Sequence, residues 1–147
     1  MNLLIRAPGA ADEAAWRTLW SGYNRFYRAD VPADVTAALW QKLLSPDAGI
    51  FGLVAEHDAT LVGLAHILFH PSSWSHYPSC YLEDLFVAPA ARGTDAGKGL
   101  IEAVAAMAKS RGADRLYWHT QEFNAPARSL YDSVAQRTSF IVYRMGI

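Results

Sequence analysis

Residues 81–101 combine two carboxylates with a glycine-rich loop, and both features could do chemistry. Residues 81–87 are apolar or aromatic except for Glu83 and Asp84, and a proline ends the run by removing a backbone donor. From Gly97 onward the apolar residues recur at helical spacing. A loop that opens a helix directly after a strand presents free backbone N–H groups at the positive end of the helix dipole. The stretch therefore predicts an anion site, most often one for phosphate.

The spacing of the glycines excludes two common nucleotide-binding motifs. The loop is not a dinucleotide-binding fingerprint, because its glycines do not fit that spacing and the preceding strand is not the first of a βαβ pair. It is not a P-loop, because Gly97-Lys98 is followed by Gly99 rather than by serine or threonine. A glycine-rich turn that only joins a strand to a helix stays open as the alternative.

The two carboxylates lie on a strand whose other residues are apolar. Strand alternation predicts one face with Tyr81, Glu83, Leu85 and Val87 and another with Leu82, Asp84 and Phe86. A carboxylate on a central strand in apolar company has a raised pKa and can accept a proton, directly or through a water molecule. The alternative for Glu83 is a charged residue on a solvated face, or the ion-pair partner of an arginine.

The composition of the chain excludes several classes of function. The 147 residues carry a formal net charge of −1 with no run of basic residues, so nucleic-acid binding has no electrostatic basis. No apolar run is long enough to cross a membrane and no leader is recognisable, so the cytoplasm is the expected compartment. Cys80 is the one cysteine, and we interpret it as a buried structural thiol. His66 and His70 share at best one strand face without an acidic residue, so no metal site is expected.

Hydrophobic periodicity and turn residues predict ten elements in the order β–α–α–β–β–β–α–β–α–β. The expected strands are about residues 3–7, 51–57, 61–69, 81–87, 114–120 and 139–145, and the expected helices are about residues 12–27, 33–44, 97–109 and 124–134. Strands that first meander and then alternate with helices predict an α+β, or mixed α/β, sheet. We expect a single domain over residues 1–147.

Two motifs in the second half of the chain resemble those of one enzyme family. Residues 85–89, Leu-Phe-Val-Ala-Pro, followed by Arg92-Gly93-x-x-x-Gly97, resemble motif A of the GNAT N-acetyltransferases, whose pattern is Arg/Gln-x-x-Gly-x-Gly/Ala. Asn124-x-x-Ala127-x-x-x-Tyr131 resembles the later motif B. The resemblance covers about residues 50–145, and the first two helices by order of elements. Within the family, the chain is most similar to fungal histone and D-amino-acid acetyltransferases and to polyamine acetyltransferases.

The resemblance implies a GNAT-type fold, with a central mixed, mostly antiparallel sheet flanked by helices, and acetyl-CoA as co-substrate. In the family, the motif A strand splays from its neighbour and its backbone holds the pantetheine arm. The N–H groups of the following loop hold the pyrophosphate, which agrees with the anion site predicted above. The cofactor-binding residues implied are Leu85, Phe86, Val87, Arg92, Gly93, Thr94, Asp95, Ala96, Gly97, Lys98, Asn124 and Tyr131.

Asp95 stands where the motif A pattern has its first glycine. Glycine normally lets the backbone approach phosphate and adopt unusual dihedral angles. We expect Asp95 to cap the helix with its side chain turned to solvent and its N–H free for the ligand. The alternative is that its negative charge weakens or abolishes the cofactor site.

The reaction that the resemblance implies is direct acetyl transfer to a primary amine. An alkylamine has a pKa near 10, so it must lose a proton on or before attack. Glu83 is the first candidate for the base and Asp84 the second. Tyr131 is the candidate proton donor to the departing thiolate, with an amphipathic core tyrosine as its alternative interpretation.

On the acceptor side, the resemblance points to the first two helices and the loop before residue 81. Aromatic side chains there could hold an apolar or cationic amine, although each alone could equally belong to a core or an interface. The expected substrate-binding residues are Tyr23, Tyr27, Trp74 and Glu83, with Trp20, His76 and Tyr77 nearby.

The expected partners are an amine, of a small molecule or of a protein, and a second copy of the chain in a homodimer. No nucleic acid or membrane is expected. The alternative function, suggested by Asp95, is a non-catalytic module of the same fold that binds acyl-CoA or a partner.

Overall fold

The computed structural model describes residues 2–147 and contains a five-stranded sheet with helices on both faces. The strands are β1 (Leu3–Arg6), β2 (Ile50–His57), β3 (Thr60–His70), β4 (Ser79–Val87) and β5 (Arg115–Tyr117), and the helices are α1 (Glu13–Phe26), α2 (Ala33–Leu43), α3 (Ala96–Ser110) and α4 (Ala125–Val134). The strands lie in chain order, antiparallel from β1 to β4, with β5 parallel to β4. This confirms the predicted fold class.

Two apolar layers hold the helices against the sheet. On one face, Leu100 and Val104 of α3 are fully buried against Leu82 of β4. On the other face, Trp16 of α1 and Trp40 of α2 are 1% exposed, and their rings pack at a tilt with centroids 5.0 Å apart. Burying a side chain of this kind contributes about 1.5–3 kcal/mol to stability. The two layers fix β3 and β4 between them, and these strands carry the acidic residues singled out above.

A β-bulge interrupts β4 at Glu83. His66 of β3 pairs with Asp84 and Ile67 pairs with Leu82, which leaves Glu83 without an opposite residue. Leu82 packs in the α3 layer and Phe86 packs in the α1–α2 layer, so these two residues lie on opposite faces. The alternation predicted for residues 81–87 is therefore wrong, because the extra residue of a bulge shifts the faces of the residues on either side.

β4 and β5 part after three paired residues. The last pair is Tyr81 with Tyr117, and β4 continues to Val87 without β5 beside it. The splay implied by the family resemblance is thus present, and β5 is shorter than the predicted strand at 114–120. Parallel strands that separate at their carboxyl ends leave a crevice, which is where ligands bind in open α/β sheets.

Residues 135–147 form no strand, so the strand predicted at 139–145 is wrong for the single chain. The backbone of described residues 136–147 makes no backbone–backbone hydrogen bond. A strand needs a neighbour to pair its N–H and C=O groups, and the single chain provides none here. Six large apolar side chains of this segment are 63–117% exposed: Phe140, Ile141, Val142, Tyr143, Met145 and Ile147.

Among residues 2–147, no helix combines the length and the apolar character needed to cross a membrane.

Candidate active site

A cleft of about 800 Å³ opens where β4 and β5 part. One wall is the end of β4, and the floor is the loop 91–94 with the first turn of α3. The opposite wall is α4, which begins at Ala125 with Pro126 in its first turn, a favoured place for proline. The cleft therefore lies between a strand edge and the N-termini of two helices.

Most of the predicted cofactor-binding residues line this cleft. They are Leu85, Phe86, Val87, Arg92, Gly93, Thr94, Gly97, Lys98, Asn124 and Tyr131. Asp95 and Ala96 do not line it, and Ala96 is fully buried at the start of α3. The fold thus brings motif A and motif B together on two walls of one cavity.

Arg92 fixes the loop to the end of β4. Its Nε donates a hydrogen bond to the Val87 carbonyl oxygen at 3.2 Å. Its guanidinium carbon lies 5.5 Å from the ring centroid of Phe26 and 5.6 Å from that of Phe86, within range of cation–π attraction. The positive charge of Arg92 is therefore held at the mouth of the cleft.

The loop leaves backbone donors at the start of α3 directed to the cleft. Gly93 has φ +81°, in the left-handed region that glycine adopts without strain. The Ala96 N–H donates to Thr94 Oγ1 at 3.3 Å, which holds the last loop residues against the helix. The N–H groups of Gly97 and Lys98, in the first turn, have no intrahelical acceptor. Together with the helix dipole, these donors favour an anion at this end of the cleft, as the sequence predicts.

Asp95 is the N-cap residue of α3, as expected, but its side chain makes no capping hydrogen bond. The side chain is 72% exposed, and its Oδ1 lies 3.6 Å from Nε2 of His57 at the end of β2. His57 is buried, and this Nε2 has no hydrogen-bond partner among the described residues. The Asp95 carboxylate therefore faces His57 and solvent rather than the cleft.

A smaller pocket of about 310 Å³ adjoins the cleft on the other side of Leu85. Its lining is mostly aromatic and polar, and consists of Tyr23, Tyr27, Leu82, Glu83, Leu85, Trp118, His119, Thr120, Gln121, Tyr131 and Val142. Four of these residues also line the larger cleft: Tyr27, Leu85, Gln121 and Tyr131. The two cavities thus meet at one point.

Glu83 lines the smaller pocket and is open to solvent on one side. Partial burial raises the pKa of Glu83, and the negative charge of Asp84 raises it further. The bulge places the two carboxylates in succession at a point where regular alternation would separate them across the sheet. Asp84 does not line the pocket, so Glu83 is the carboxylate that an entering molecule contacts first.

Asp84 belongs to a buried chain of hydrogen bonds between the sheet and α1. Trp16 Nε1 donates to His66 Nε2 at 3.1 Å, and His66 Nδ1 lies 3.0 Å from Asp84 Oδ2. Tyr23, also on α1, lines the pocket. Burial raises the pKa of Tyr23, and the charge of Asp84 and a hydrogen bond to it raise that pKa further. Trp16 belongs to the core and His66 is buried beside it, so these hydrogen bonds lie in low-dielectric surroundings.

Tyr131 lies on α4 at the boundary between the two cavities. Burial raises the pKa of Tyr131 to about 12, with a smaller contribution from Tyr27. Its ring contacts Trp118 edge to face, with centroids 5.4 Å apart. The phenol is therefore fully protonated at neutral pH and can donate a hydrogen bond toward either cavity.

Trp74 is the predicted substrate-binding residue that the structure does not bring into the pocket. It is 74% exposed, under the Arg115 guanidinium and beside Phe140 of the C-terminal segment. In its place, the pocket has Trp118, His119, Thr120 and Gln121, which the sequence-based prediction missed as site residues. They follow β5, and the parallel arrangement of β4 and β5 was the signal that could have found them, since the carboxyl ends of parallel strands lie together.

The remaining candidates for chemistry lie outside both cavities. Cys80 is fully buried in β4, and burial raises the pKa of its thiol to about 11, which suits a structural thiol. Residues 2–147 hold no group of three or more His, Cys, Asp or Glu side chains placed to bind a metal ion.

The splayed sheet, the helix N-terminus and the two joined cavities are an arrangement that suits a transferase, which needs room for a donor and an acceptor side by side. A model of the Acetyltransferase (GNAT) family matches residues 15–135, and the chain belongs to this family. This confirms the resemblance seen in motifs A and B. The chain is thus an acyltransferase of the N-acetyltransferase kind, with acetyl-CoA as the acetyl donor.

Two curated relatives match nearly the whole chain. It is similar to the D-amino-acid N-acetyltransferase HPA3 of Saccharomyces cerevisiae, with 32% identity over 97% of this chain and 90% of the relative. It is also similar to the uncharacterized N-acetyltransferase YhfO of Bacillus subtilis, with 31% identity over 97% of both chains.

Solved structures share the fold at lower identity. The aminoglycoside acetyltransferase AAC(6')-Iy, in complex with a bisubstrate analogue of CoA, aligns with a TM-score of 0.86 at 20% identity, covering 100% of this chain and 99% of that one. A ribosomal-protein-alanine N-acetyltransferase from Brucella melitensis aligns with a TM-score of 0.82 at 20% identity, covering 99% and 100%. At this identity, the likeness supports the fold alone.

Proposed function

We propose that the chain acetylates the primary amine of a small molecule that binds in the 310 Å³ pocket, with acetyl-CoA in the 800 Å³ cleft. The observation that carries this proposal is the meeting of the two cavities at Tyr27, Leu85, Gln121 and Tyr131. A thioester at the end of a ligand in the larger cleft would reach this point, and an amine in the smaller pocket would face it. Direct transfer needs this proximity, because holding the reactants together removes much of the entropic barrier.

Glu83 is the proposed base of the reaction. It lines the acceptor pocket, and partial burial raises its pKa toward the range in which a carboxyl group exchanges protons efficiently. Its carboxylate would hold the incoming ammonium group by charge and then take its proton, directly or through a water molecule. Asp84, which lies behind the pocket wall, is the less suitable base.

Tyr131 is the proposed hydrogen-bond donor to the departing thiolate. A thiol has a pKa of about 8.5, so complete proton transfer from a phenol with a pKa of about 12 would be uphill by roughly 5 kcal/mol. A hydrogen bond from the phenol costs no such transfer and stabilises the charge that develops on sulfur. The proposed role is therefore donation of a hydrogen bond, with the final proton reaching sulfur from solvent or from the amine.

The lining of the pocket favours a cationic amine on an apolar or aromatic body. Tyr23, Tyr27 and Trp118 offer ring surfaces, and Glu83 offers a negative charge. Among the lining residues there is no lysine or arginine, and His119 is the one group that could pair with a substrate carboxylate. A second candidate acceptor, a D-amino acid, is favoured by the 32% identity to the yeast enzyme named for that activity.

A panel of matched amines separates these acceptors. Thiol release from acetyl-CoA would be followed with phenethylamine, D-phenylalanine, L-phenylalanine and a lysine-containing peptide, and products would be identified by mass. We expect kcat/KM to be highest for phenethylamine, which differs from phenylalanine by the carboxylate alone. Preference for D-phenylalanine would establish the second candidate.

The same panel tests whether the chain is catalytic. If no amine releases thiol above the rate of hydrolysis while acetyl-CoA binds tightly in a calorimetric titration, the non-catalytic module is the correct interpretation. Turnover of the peptide alone would assign a protein amine as the acceptor.

The predicted homodimer also stays a proposal, supported by the apolar C-terminal segment. Six of its large side chains are exposed, and the outer edge of β5 has no neighbouring strand among the described residues. Exposed strand-like segments and open sheet edges are surfaces that a second copy of a chain can cover. The expected location in the cytoplasm stays a prediction from the sequence.

A further inference from the structure

The buried chain from Trp16 to Asp84 is not explained by packing alone. His66 is 1% exposed and lies among tryptophan rings, where a polar side chain is costly unless its hydrogen bonds are satisfied. Both of its nitrogens have partners, at 3.1 Å and 3.0 Å. The chain also ends at Asp84, which adjoins Glu83 of the acceptor pocket. It thus connects the core to the site without contacting a ligand.

The direction of these hydrogen bonds follows from the chemistry of their donors. An indole N–H can only donate, so His66 Nε2 must accept and carries no proton. In neutral imidazole the proton is then on Nδ1, which donates to Asp84 Oδ2. Protonation of Nε2 would break the bond to Trp16 and place a cation in the core. Trp16 therefore disfavours the imidazolium form of His66.

The charge on Asp84 depends on this tautomer. A neutral histidine that donates one hydrogen bond leaves the carboxylate of Asp84 with its full negative charge. An imidazolium in the same place would form an ion pair and neutralise that charge. Asp84 is next to Glu83 in the bulge, and its negative charge raises the pKa of both Glu83 and Tyr23, which line the pocket.

We propose that Trp16, His66 and Asp84 are positioning residues of the acceptor pocket, which keep an ionised carboxylate behind Glu83 and Tyr23 to attract the ammonium form of the substrate. The proposal rests on the proposed function for its substrate, but its structural core, the tautomer of His66, does not. A variant of Trp16 should therefore change how amine binding depends on pH.

The first test observes His66 directly. In protein labelled with ¹⁵N-histidine, NMR of the ring nitrogens is recorded from pH 5 to pH 8 without any ligand. We expect one tautomer of His66 in the wild-type protein, with the proton on Nδ1 and none on Nε2, and a protonated Nε2 at the acidic end of the range in Trp16→Phe. A wild-type tautomer with its proton on Nε2 would overturn the proposal, whatever the enzyme acts on.

The second test measures the KM of the amine in Trp16→Phe. We expect the KM to equal that of the wild-type enzyme at pH 8 and to rise about tenfold relative to it at pH 5.5, because the imidazolium cancels one charge beside the pocket. The KM of acetyl-CoA should not change, since none of these residues lines the larger cleft. A KM ratio that does not vary with pH would show a purely structural role.

Other titratable groups at the pocket require a control. Tyr23, Tyr27, Tyr81 and Tyr131 stay protonated near pH 6.5, because burial raises the pKa of each. Glu83, whose pKa is also raised, is present in both enzymes and affects both KM values. His119 is the exposed histidine that lines the pocket. His119→Gln is therefore introduced in both backgrounds, and the tenfold difference should persist.

The isosteric variant Asp84→Asn completes the test in case Trp16→Phe weakens the core. It keeps an oxygen acceptor for His66 and removes the charge. We expect it to raise the KM of the amine at every pH and to shift the acidic limb of kcat/KM to lower pH, because Asp84 no longer raises the pKa of Glu83. An unchanged amine KM in this variant would contradict the proposal.

Discussion

At the scale of single residues, the site depends on one extra residue in β4. Without the bulge, Glu83 and Asp84 would point to opposite faces of the sheet, one toward α3 and one toward α1. The bulge gives each carboxylate a separate environment on the pocket side. Glu83 lines the pocket with a raised pKa, whereas Asp84 is held by His66. Glu83 can therefore serve as the base, while Asp84 supplies a second negative charge beside it.

Glu83→Gln tests the base. In the wild-type enzyme, we expect a bell-shaped pH profile of kcat/KM, with an acidic limb above the ordinary glutamate pKa of 4.5 and a basic limb at the pKa of the amine. The acidic limb lies above 4.5 because the pKa of Glu83 is raised. Glu83 must be deprotonated to act as the base, so the enzyme loses activity as the pH falls through this pKa. Glutamine should lower kcat/KM at pH 7 by about 10²-fold and remove the acidic limb. Glu13→Gln, at a half-buried position of α1 that lines neither cavity, is the matched control.

Tyr131→Phe tests the hydrogen-bond donor. We expect kcat to fall well over tenfold while the Kd of acetyl-CoA changes little, since the ring and its contact with Trp118 remain. Burial raises the pKa of Tyr131 to about 12, so the hydroxyl group keeps its proton from pH 7 to pH 10. Removing this hydroxyl group should therefore lower kcat by the same factor over that range. A normal kcat in this variant, measured by steady-state kinetics beside a calorimetric Kd, would remove Tyr131 from the mechanism.

At the scale of elements, the N-terminus of α3 tolerates an acidic residue near the anion site. The Asp95 side chain faces His57, on the side of the helix away from the cleft, and Gly97 and Lys98 remain at the cleft. A negative charge at a helix N-terminus also stabilises the helix by about 0.3–1 kcal/mol. Asp95 in place of glycine therefore stabilises α3. Its cost is limited to electrostatic repulsion between its carboxylate and an anion in the cleft.

Asp95→Asn measures that repulsion. Asparagine keeps the size and the N-cap preference and removes the charge. We expect acetyl-CoA to bind about two- to fivefold more tightly at low ionic strength, with the difference decreasing as salt screens the charge. Asp95→Gly should act in the same direction. Asp47→Asn, an exposed change of equal charge in the loop after α2, should have no effect, and weaker binding in Asp95→Asn would show that no repulsion exists.

The sequence predicts the elements of this fold better than their edges. The strands from β1 to β4, the four helices and the anion loop follow from periodicity, turn residues and motifs A and B. The bulge at Glu83 was missed because it depends on the register between β3 and β4, which no local pattern encodes. The chain from Trp16 to Asp84 was missed for a similar reason, since its members are 50 and 18 positions apart. Contacts of this kind are set by packing between elements.

At the scale of the whole molecule, α4 and the segment after it are the least packed part of the chain. α4 has no buried residue, β5 pairs on one side only, and residues 135–147 are exposed throughout. Thr120, just after β5, has a buried hydroxyl without a hydrogen-bond partner among the described residues. Val142 nevertheless lines the acceptor pocket. Assembly and acceptor binding should therefore be linked through the C-terminal segment.

Removal of residues 138–147 tests this link. If a second copy covers the segment, the full chain should have a mass in solution near twice 16.2 kDa by light scattering, and the shortened chain should be a monomer. The KM of the amine should rise several-fold, because Val142 is lost from the pocket, while the Kd of acetyl-CoA should stay within about twofold, since the larger cleft contains no residue after 133.

Val142→Ser separates the two effects of that deletion. It should raise the amine KM and leave the mass unchanged, because the other exposed apolar side chains of the segment remain for the contact between copies. An equal mass for the full and shortened chains would show that the segment does not hold two copies together. A dimeric shortened chain with a normal amine KM would place both the dimer contact and the acceptor contacts elsewhere on the molecule.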